Sequence, residues 1–339
     1  MLVYGDGERR EDPRAVLGRI AAALAGLPDR PAGILRHQEL VAAFMELGEL
    51  AQGVADADFA ARGADTATPA QEACMTALTA LAAAVWASWR GGFDAPLPSP
   101  ALLDPLQSVP LPPEIVVRRP EGFAFYALYP EAYGAAAATL PLAPTRVVGI
   151  RSVGTGLSAI VAAVLGAPPP ITVRPTGHPF RREVALERGL VVDPNLRWAV
   201  VDEGPGLSGS SFGAVADALE ARGVPPERIR FFPGHGGDLG PEASPRHRER
   251  WARAARPFVA FDDLVLGGQP AHRLERFVAD LVGEAVAPLE DLSGGAWRAR
   301  RLPEAAWPPA NVAQERRKFL LHTAEGPWLL KFTGLGREG

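Results

Sequence analysis

Two adjacent acids, Asp202-Glu203, end the apolar run Trp198 to Val201, and the small-residue stretch Gly204 to Ser211 separates them from the helix-forming segment Phe212 to Arg222. A short apolar run of this kind fills the middle of a parallel sheet, and open α/β sheets hold their ligands at the carboxyl ends of such strands. The glycines of the stretch allow positive φ and close backbone approach, while Ser208, Ser210 and Ser211 can cap the helix that follows. Free N–H groups at a helix start attract a dianionic phosphate. The chemistry expected here is therefore that of a phosphate-sugar site; the plainer alternative is a generic turn between strand and helix in a doubly wound domain.

A second turn of the same type lies about fifty residues earlier. The apolar strand Arg146 to Ile150 runs into Arg151, Ser152, Val153, Gly154 and Thr155, and an Ala-rich helix from Leu157 to Leu165 follows. Between the two turns, Ile171 to Leu196 suggests two β arms joined by a polar loop punctuated by Pro and Gly. That loop carries Arg174, His178, Arg181 and Arg182, either as groups that close over an anion or as solvated charges of an exposed hairpin. Downstream, Arg228 to Phe232 reads as a further strand ending in a Gly-rich loop, where His235 and Asp238 either face an acceptor or are incidental.

The order apolar strand, two acids, spacer, Ser-Gly-Ser-Ser and helix, written VVDEGPGLSGSS, resembles the signature of type I phosphoribosyltransferases. The resemblance covers about half of the chain. It implies an α/β fold with a parallel sheet and flanking helices, and transfer of ribose 5-phosphate from phosphoribosyl pyrophosphate (PRPP) to an acceptor with release of pyrophosphate. By the same resemblance Asp202 and Glu203 hold the ribose hydroxyls, and through them Mg²⁺. Leu207, Ser208, Gly209, Ser210 and Ser211 cradle the 5-phosphate. Arg151, Ser152, Val153, Gly154 and Thr155 grip the pyrophosphate, and Arg174, His178, Arg181 and Arg182 belong to a flexible hood. The sequence departs from the family pattern in a spacer, GPGL, about one residue longer, in Glu203 where Asp is usual, and in serines where threonines are usual. A PRPP- or nucleotide-binding regulator without turnover is the alternative function. The partners expected are PRPP and a small-molecule acceptor, with a homodimer left open.

These turns need a scaffold. Residues 1–93 read as an α-helical domain: Asp12-Pro13 opens a helix with Val16, Ile20, Ala23 and Leu24 at helical spacing, Leu40, Ala43, Phe44, Leu47 and Leu50 repeat the pattern, and a third helix runs from Pro69 to Trp89. His37, near Glu39 and Glu46, is expected on a solvated helix face rather than in a metal site. Residues 94–113, rich in proline, form a linker or a wrapping segment. The α/β domain then spans 114–290, with β elements at Ile115 to Val117 and Gly122 to Leu128 and again at Pro257 to Val265, which ends in Asp262-Asp263. Tyr126, Tyr129 and Tyr133, with Arg118 and Arg119, are either core packing or a base- and phosphate-contacting cluster. HRERWARAAR, from Arg246 to Arg256, is a basic helix face expected to be solvated, and Arg273 to Glu284 a further amphipathic helix.

The tail, 291–339, holds a β-hairpin, Arg317 to Thr323 with Trp328 to Phe332. It resembles the opening hairpin of aminoglycoside-phosphotransferase-type kinase lobes, with Lys331 where their phosphate-binding lysine sits. The tail is thus expected to be the start of a further, kinase-like domain in a longer fusion, or a capping element.

The chain has 339 residues, 47% of them apolar, and a net charge of −4, so it can bury real cores and carries no general nucleic-acid footprint. Its single cysteine, Cys74, excludes intrachain disulfides and cysteine-based zinc sites. The first residues lack a basic stretch followed by an apolar one, and the longest apolar segment, Met75 to Trp89, is too short to span a bilayer. A cytoplasmic protein without membrane partners is expected.

Overall fold

Strands buried on both faces must be apolar at every position rather than at alternate ones, and two segments, 145–150 and 197–201, meet that condition over their inner residues 147–150 and 198–201. In the computed structural model, which describes residues 7–118, 120, 122–123, 127–309 and 316–335, they are β3 (Thr145–Ile150) and β7 (Arg197–Val201), neighbours in a four-stranded parallel sheet. The sheet is ordered β4-β3-β7-β8, with β4 at Ile171–Val173 and β8 at Ile229–Phe232. The antiparallel pair β1 (Glu8–Glu11) and β2 (Ile115–Arg118) stands apart from it. So does the hairpin β5 (Thr176–His178) and β6 (Arg181–Glu183).

Helix α1 (Pro13–Gly26) begins where Asp12 accepts a hydrogen bond from the Arg14 N–H at 2.8 Å. Helices α2 (Ile34–Arg62) and α3 (Pro69–Arg90) follow, the latter capped by the Thr68 hydroxyl oxygen accepting from the Gln71 N–H. Val16, Ile20, Leu24, Leu40, Phe44, Leu47 and Leu50 are all buried as their spacing predicts; Ala23 is exposed. Cys74 lies in the core of α3, and burial pushes its thiol up to about 12. Helices α4 (Asp104–Ser108), α5 (Pro130–Ala138), α6 (Val153–Leu165), α7 (Ser210–Glu220) and α8 (Pro245–Arg253) complete this part. The proline-rich stretch wraps: Leu103 and Leu106 are buried, and its short helices pack on α1 and α3.

The sheet is covered on both sides. On one face Val148, Ile150, Trp198, Val200, Ile229 and Phe231 pack with Phe212, Val215 and Leu219 of α7 and Trp251 of α8. On the other, the alternate residues Val147, Ala199, Val201 and Phe232 are buried on the side of α6, and α6 in turn packs on α2, α3 and α5. Each large side chain so enclosed contributes about 1.5–3 kcal/mol relative to exposure. The helices of residues 13–90 and the sheet accordingly share one compact unit, comprising residues 1–120 and 130–260.

A second unit comprises residues 121–129 and 261–339. It contains α9 (Phe261–Val265), α10 (Leu274–Val282) and an antiparallel sheet in which β10 (Lys318–Thr323) lies between β9 (Glu290–Asp291) and β11 (Gly326–Lys331). The hairpin expected in the tail is present. Phe123 accepts a hydrogen bond from the Leu335 N–H through its carbonyl at 3.0 Å, and the ring of Tyr129 lies 5.7 Å from that of Phe261.

Several expectations are corrected. The Asp262-Asp263 segment is the first turn of α9 and not the end of a strand, since two acids there favour the positive end of a helix. Residues 122–123 are helical and 127–128 irregular, so the β element expected at Gly122 to Leu128 is not formed; its remainder, with Tyr126 and Arg119, lies outside the described residues. His37 is buried, not solvated: its ring nitrogens meet the Ser88 hydroxyl at 3.0 Å and the buried Glu131 carboxylate at 2.8 Å. The basic face of α8 is also only partly solvated. Arg250 is paired with Asp217 and Glu220 of α7 at 2.6 and 2.9 Å, while Trp251 fills the core. Among the described residues no helix is long and apolar enough to cross a membrane.

Candidate functional site

The chain leaves β3 through α6 to β4 on one side and leaves β7 through α7 to β8 on the other. Right-handed crossovers in opposite directions put α6 and α7 on opposite faces and open a crevice between the carboxyl ends of β3 and β7. Both turns singled out in the sequence border that crevice. They touch: a Cβ on Gly154 would sit 2.6 Å from the Val201 carbonyl oxygen and 3.5 Å from an Asp202 carboxylate oxygen. Only glycine permits the first turn to approach the second so closely.

Asp202 lies deep in this crevice while keeping some accessible surface, and burial raises its carboxyl to about 7. Hydrogen bonds from the Glu203 and Gly204 backbone and the charge of Arg174 oppose the shift without cancelling it. Behind it, the Tyr133 hydroxyl of α5 donates to the Asp202 carbonyl at 2.8 Å. Burial, with the nearby acids, holds this phenol well above its usual range, so it stays a donor. Tyr133 thus positions the acid from below, and Tyr129 belongs to the second unit; Arg118 pairs with Glu8 at 3.2 Å.

The second turn runs from Asp202, directly after β7, to Gly209. Gly209 has φ +60 and turns the chain into α7, whose first residue, Ser210, donates its N–H to the Ser208 hydroxyl oxygen at 3.1 Å. Leu207 is exposed, whereas Ser208 and Ser210 are buried, and Ser211 is partly open. The hairpin β5–β6 reaches this turn: the Pro179 carbonyl at its tip accepts from the Ser210 hydroxyl at 2.7 Å and from that of Ser208 at 3.4 Å. His178 and Arg181 stand exposed on the hairpin, and Arg182 donates to the Pro175 carbonyl at 3.3 Å.

The first turn is held from the helical side. Arg151 is buried and pairs with Asp65 and, at 3.4 Å, with Asp56 of α2. Burial, with the like charge of Arg174, pushes its guanidinium down to about 10, Asp56 opposing. Arg174 makes a forked pair with the Asp56 carboxylate, at 2.9 Å through Nε, and donates to the Arg151 carbonyl at 2.9 Å. It is fixed at the end of β4 and is not on the hairpin. Ser152 precedes α6; Val153, Gly154 and Thr155 form its buried first turn, and the Thr155 hydroxyl has no hydrogen-bond partner.

On the far side, Gly234 donates its N–H to the Gly204 carbonyl at 2.8 Å, joining the loops after β7 and β8. His235 is exposed, its Nδ1 accepting from the Gly237 N–H at 3.1 Å, and Asp238 is exposed 3.9 Å from Arg256. Among the described residues no cluster of three or more His, Cys, Asp or Glu could hold a metal unaided. Sequence reasoning missed Asp56 and Asp65 and left Tyr133 between core packing and a base-contacting cluster, because their partners are 69 to 118 positions away and leave no local pattern.

No protein-family model matches this chain, and neither a curated protein nor a solved structure matches it.

Proposed function

We propose that the crevice binds PRPP with its magnesium and that the protein is a phosphoribosyltransferase acting on a small acceptor, with a type I phosphoribosyltransferase-like sheet. The observation that carries this reading is the contact of two glycine-bearing turns at the switch point, with Asp202-Glu203 beginning one of them. The acids accept hydrogen bonds from the ribose hydroxyls and the start of α7 receives the 5-phosphate. The Arg151 to Thr155 turn receives the pyrophosphate through backbone N–H groups. Mg²⁺ arrives on the substrate, where it neutralises phosphate charge, and needs no protein cage. The chain then contributes position: it fixes C1 between the two phosphate turns while the acceptor attacks and pyrophosphate departs.

The hairpin supports a closing role, since its tip already rests on the second turn. Isothermal calorimetry with Mg²⁺-PRPP and with ribose 5-phosphate tests the binding. Heat with both, weakened on the order of 10-fold or more in Asp202→Asn, is expected, that being about the worth of one charge-assisted hydrogen bond. No heat with either ligand refutes the reading. Pyrophosphate release with a mixture of nucleobases and amines tests turnover.

A second reading, a PRPP- or nucleotide-binding regulator, is favoured by one observation. Arg151 and Arg174, the cations nearest the first turn, are committed to Asp56 and Asp65, as a structural anchor requires and a catalytic hood does not. PRPP bound and recovered intact in the presence of every acceptor would select it.

A further inference from the structure

At the other end of the sheet a cavity of about 590 Å³ opens where β3 and β4 begin. Its walls are Met75 and Thr76 of α3, Pro170 and Ile171 at the start of β4, and Leu190 and Val191 from the loop before β7. The size suits a small organic molecule, and such sites pair an apolar wall with a few polar groups. About 15 Å of strand β3 separates it from the crevice at the carboxyl ends, so the two sites are distinct.

One residue of the lining is out of place in a merely structural hollow. Arg146, the second residue of β3, is half-buried, and among the described residues it makes no ion pair or hydrogen bond through its side chain. Burial holds its guanidinium below the usual arginine range, and no acid offsets that burial. Two other half-buried arginines of this unit, Arg250 and Arg222, are engaged, the first with two acids of α7 and the second with three carbonyls; Arg197 and Arg230 also lack such partners, but neither lines this cavity. An arginine removed from water with its donors free is the kind of group that an anion completes.

The remaining lining narrows the choice of anion. Glu72 is exposed in the wall, and Glu187 accepts from the Thr66 hydroxyl and lies 3.7 Å from Arg62. Two acids around one free cation repel a dianion, while the planar fork of a guanidinium matches a carboxylate. We propose that this cavity binds a small apolar monocarboxylate, Arg146 holding the carboxylate and the Met75, Ile171 and Leu190 side chains covering the hydrocarbon. The proposal stands independently of any activity at the switch point.

The test is calorimetry on the full chain with octanoate, octanol, octylammonium and octyl phosphate. Octanoate is expected to bind at one site per chain and at least 10-fold more tightly than the other three. Arg146→Gln should lose that 10-fold preference over octanol, and Thr76→Trp, which fills the cavity from α3 without touching its charge, should abolish binding. In the unaltered protein the Arg146 Nε resonance should shift with octanoate and not with octanol, a readout that needs no variant to fold. Equal binding of octanoate and octanol, tighter binding of octylammonium or octyl phosphate, or an unmoved Arg146 resonance at saturating octanoate would overturn the assignment.

Discussion

Asp202 is held in the folded chain with its carboxyl near 7, against 3.8 for the free side chain. Between those values the folded state keeps a proton that the unfolded chain has released. The group's contribution to stability is therefore present below about pH 4 and is lost as pH rises through 7. Asp202→Asn, which imitates the protonated form, should stabilise the free protein at pH 8 by on the order of 1–3 kcal/mol and leave it nearly unchanged at pH 4, as urea unfolding at the two values would report. Binding runs the other way. Ribose hydroxyls need the carboxylate, so PRPP affinity should rise between pH 6 and 8 in the native protein beyond any rise seen in the Asn variant, and parallel pH profiles would count against the acid's role. An unfavourable charge retained at the floor of a crevice is what a binding group looks like and what a core residue avoids.

The elements around Asp202 decide how closely the two glycine-bearing turns can approach. Gly154→Val would drive a Cβ to 2.6 Å from the Val201 carbonyl, so the turn must shift as a whole. A loss of about 1–3 kcal/mol in thermal unfolding, together with weakened affinity for both PRPP and ribose 5-phosphate, is expected. This differs from what the order of the turns alone suggests, namely a loss confined to the pyrophosphate side, because Gly154 abuts the strand that carries Asp202. The hairpin makes its own prediction: amide exchange across Thr176–Glu183 should slow when PRPP closes the crevice, and unchanged exchange at saturation would remove its closing role.

Much of this architecture is legible in the amino-acid sequence. The strands read at 146–150 and 198–201, the small-residue turns after them, the three long helices and the terminal hairpin follow from local pattern, and all are found in place, the two strands each one residue longer. The assignments that failed had local signals contradicted by distant partners. His37 reads as solvated until Glu131, 94 positions on, is packed against it, and Arg174 reads as a loop charge until Asp56 is brought to it by α2. Asp262-Asp263 failed for a nearer reason, a helix start taken for the end of a strand.

In the unit that carries both candidate sites, the helical bundle is wired to the sheet by charge as well as by apolar packing. Asp56 and Asp65 meet Arg151 and Arg174 across a boundary that a reading by domains would leave empty. Removing one member of a buried set strands the others, so Asp56→Ala should cost about 2–4 kcal/mol in thermal or urea unfolding. Asp56→Asn, which keeps a hydrogen-bond acceptor, should cost less, and a neutral result for both would show the pairs to be incidental.

The division of the chain has a consequence during synthesis. Phe123 and Tyr129 belong to the second unit although the segments on either side of them belong to the first, and their partners Phe261, Phe332 and Leu335 are encoded more than a hundred codons downstream. At about 5–20 residues per second, ribosomes emit those partners on the order of 10 s after Tyr129. For that interval an aromatic segment hangs from a unit otherwise free to close. A nascent chain stalled after Ala260 should therefore recruit holding chaperones through residues 121–129, and release them once the hairpin has emerged.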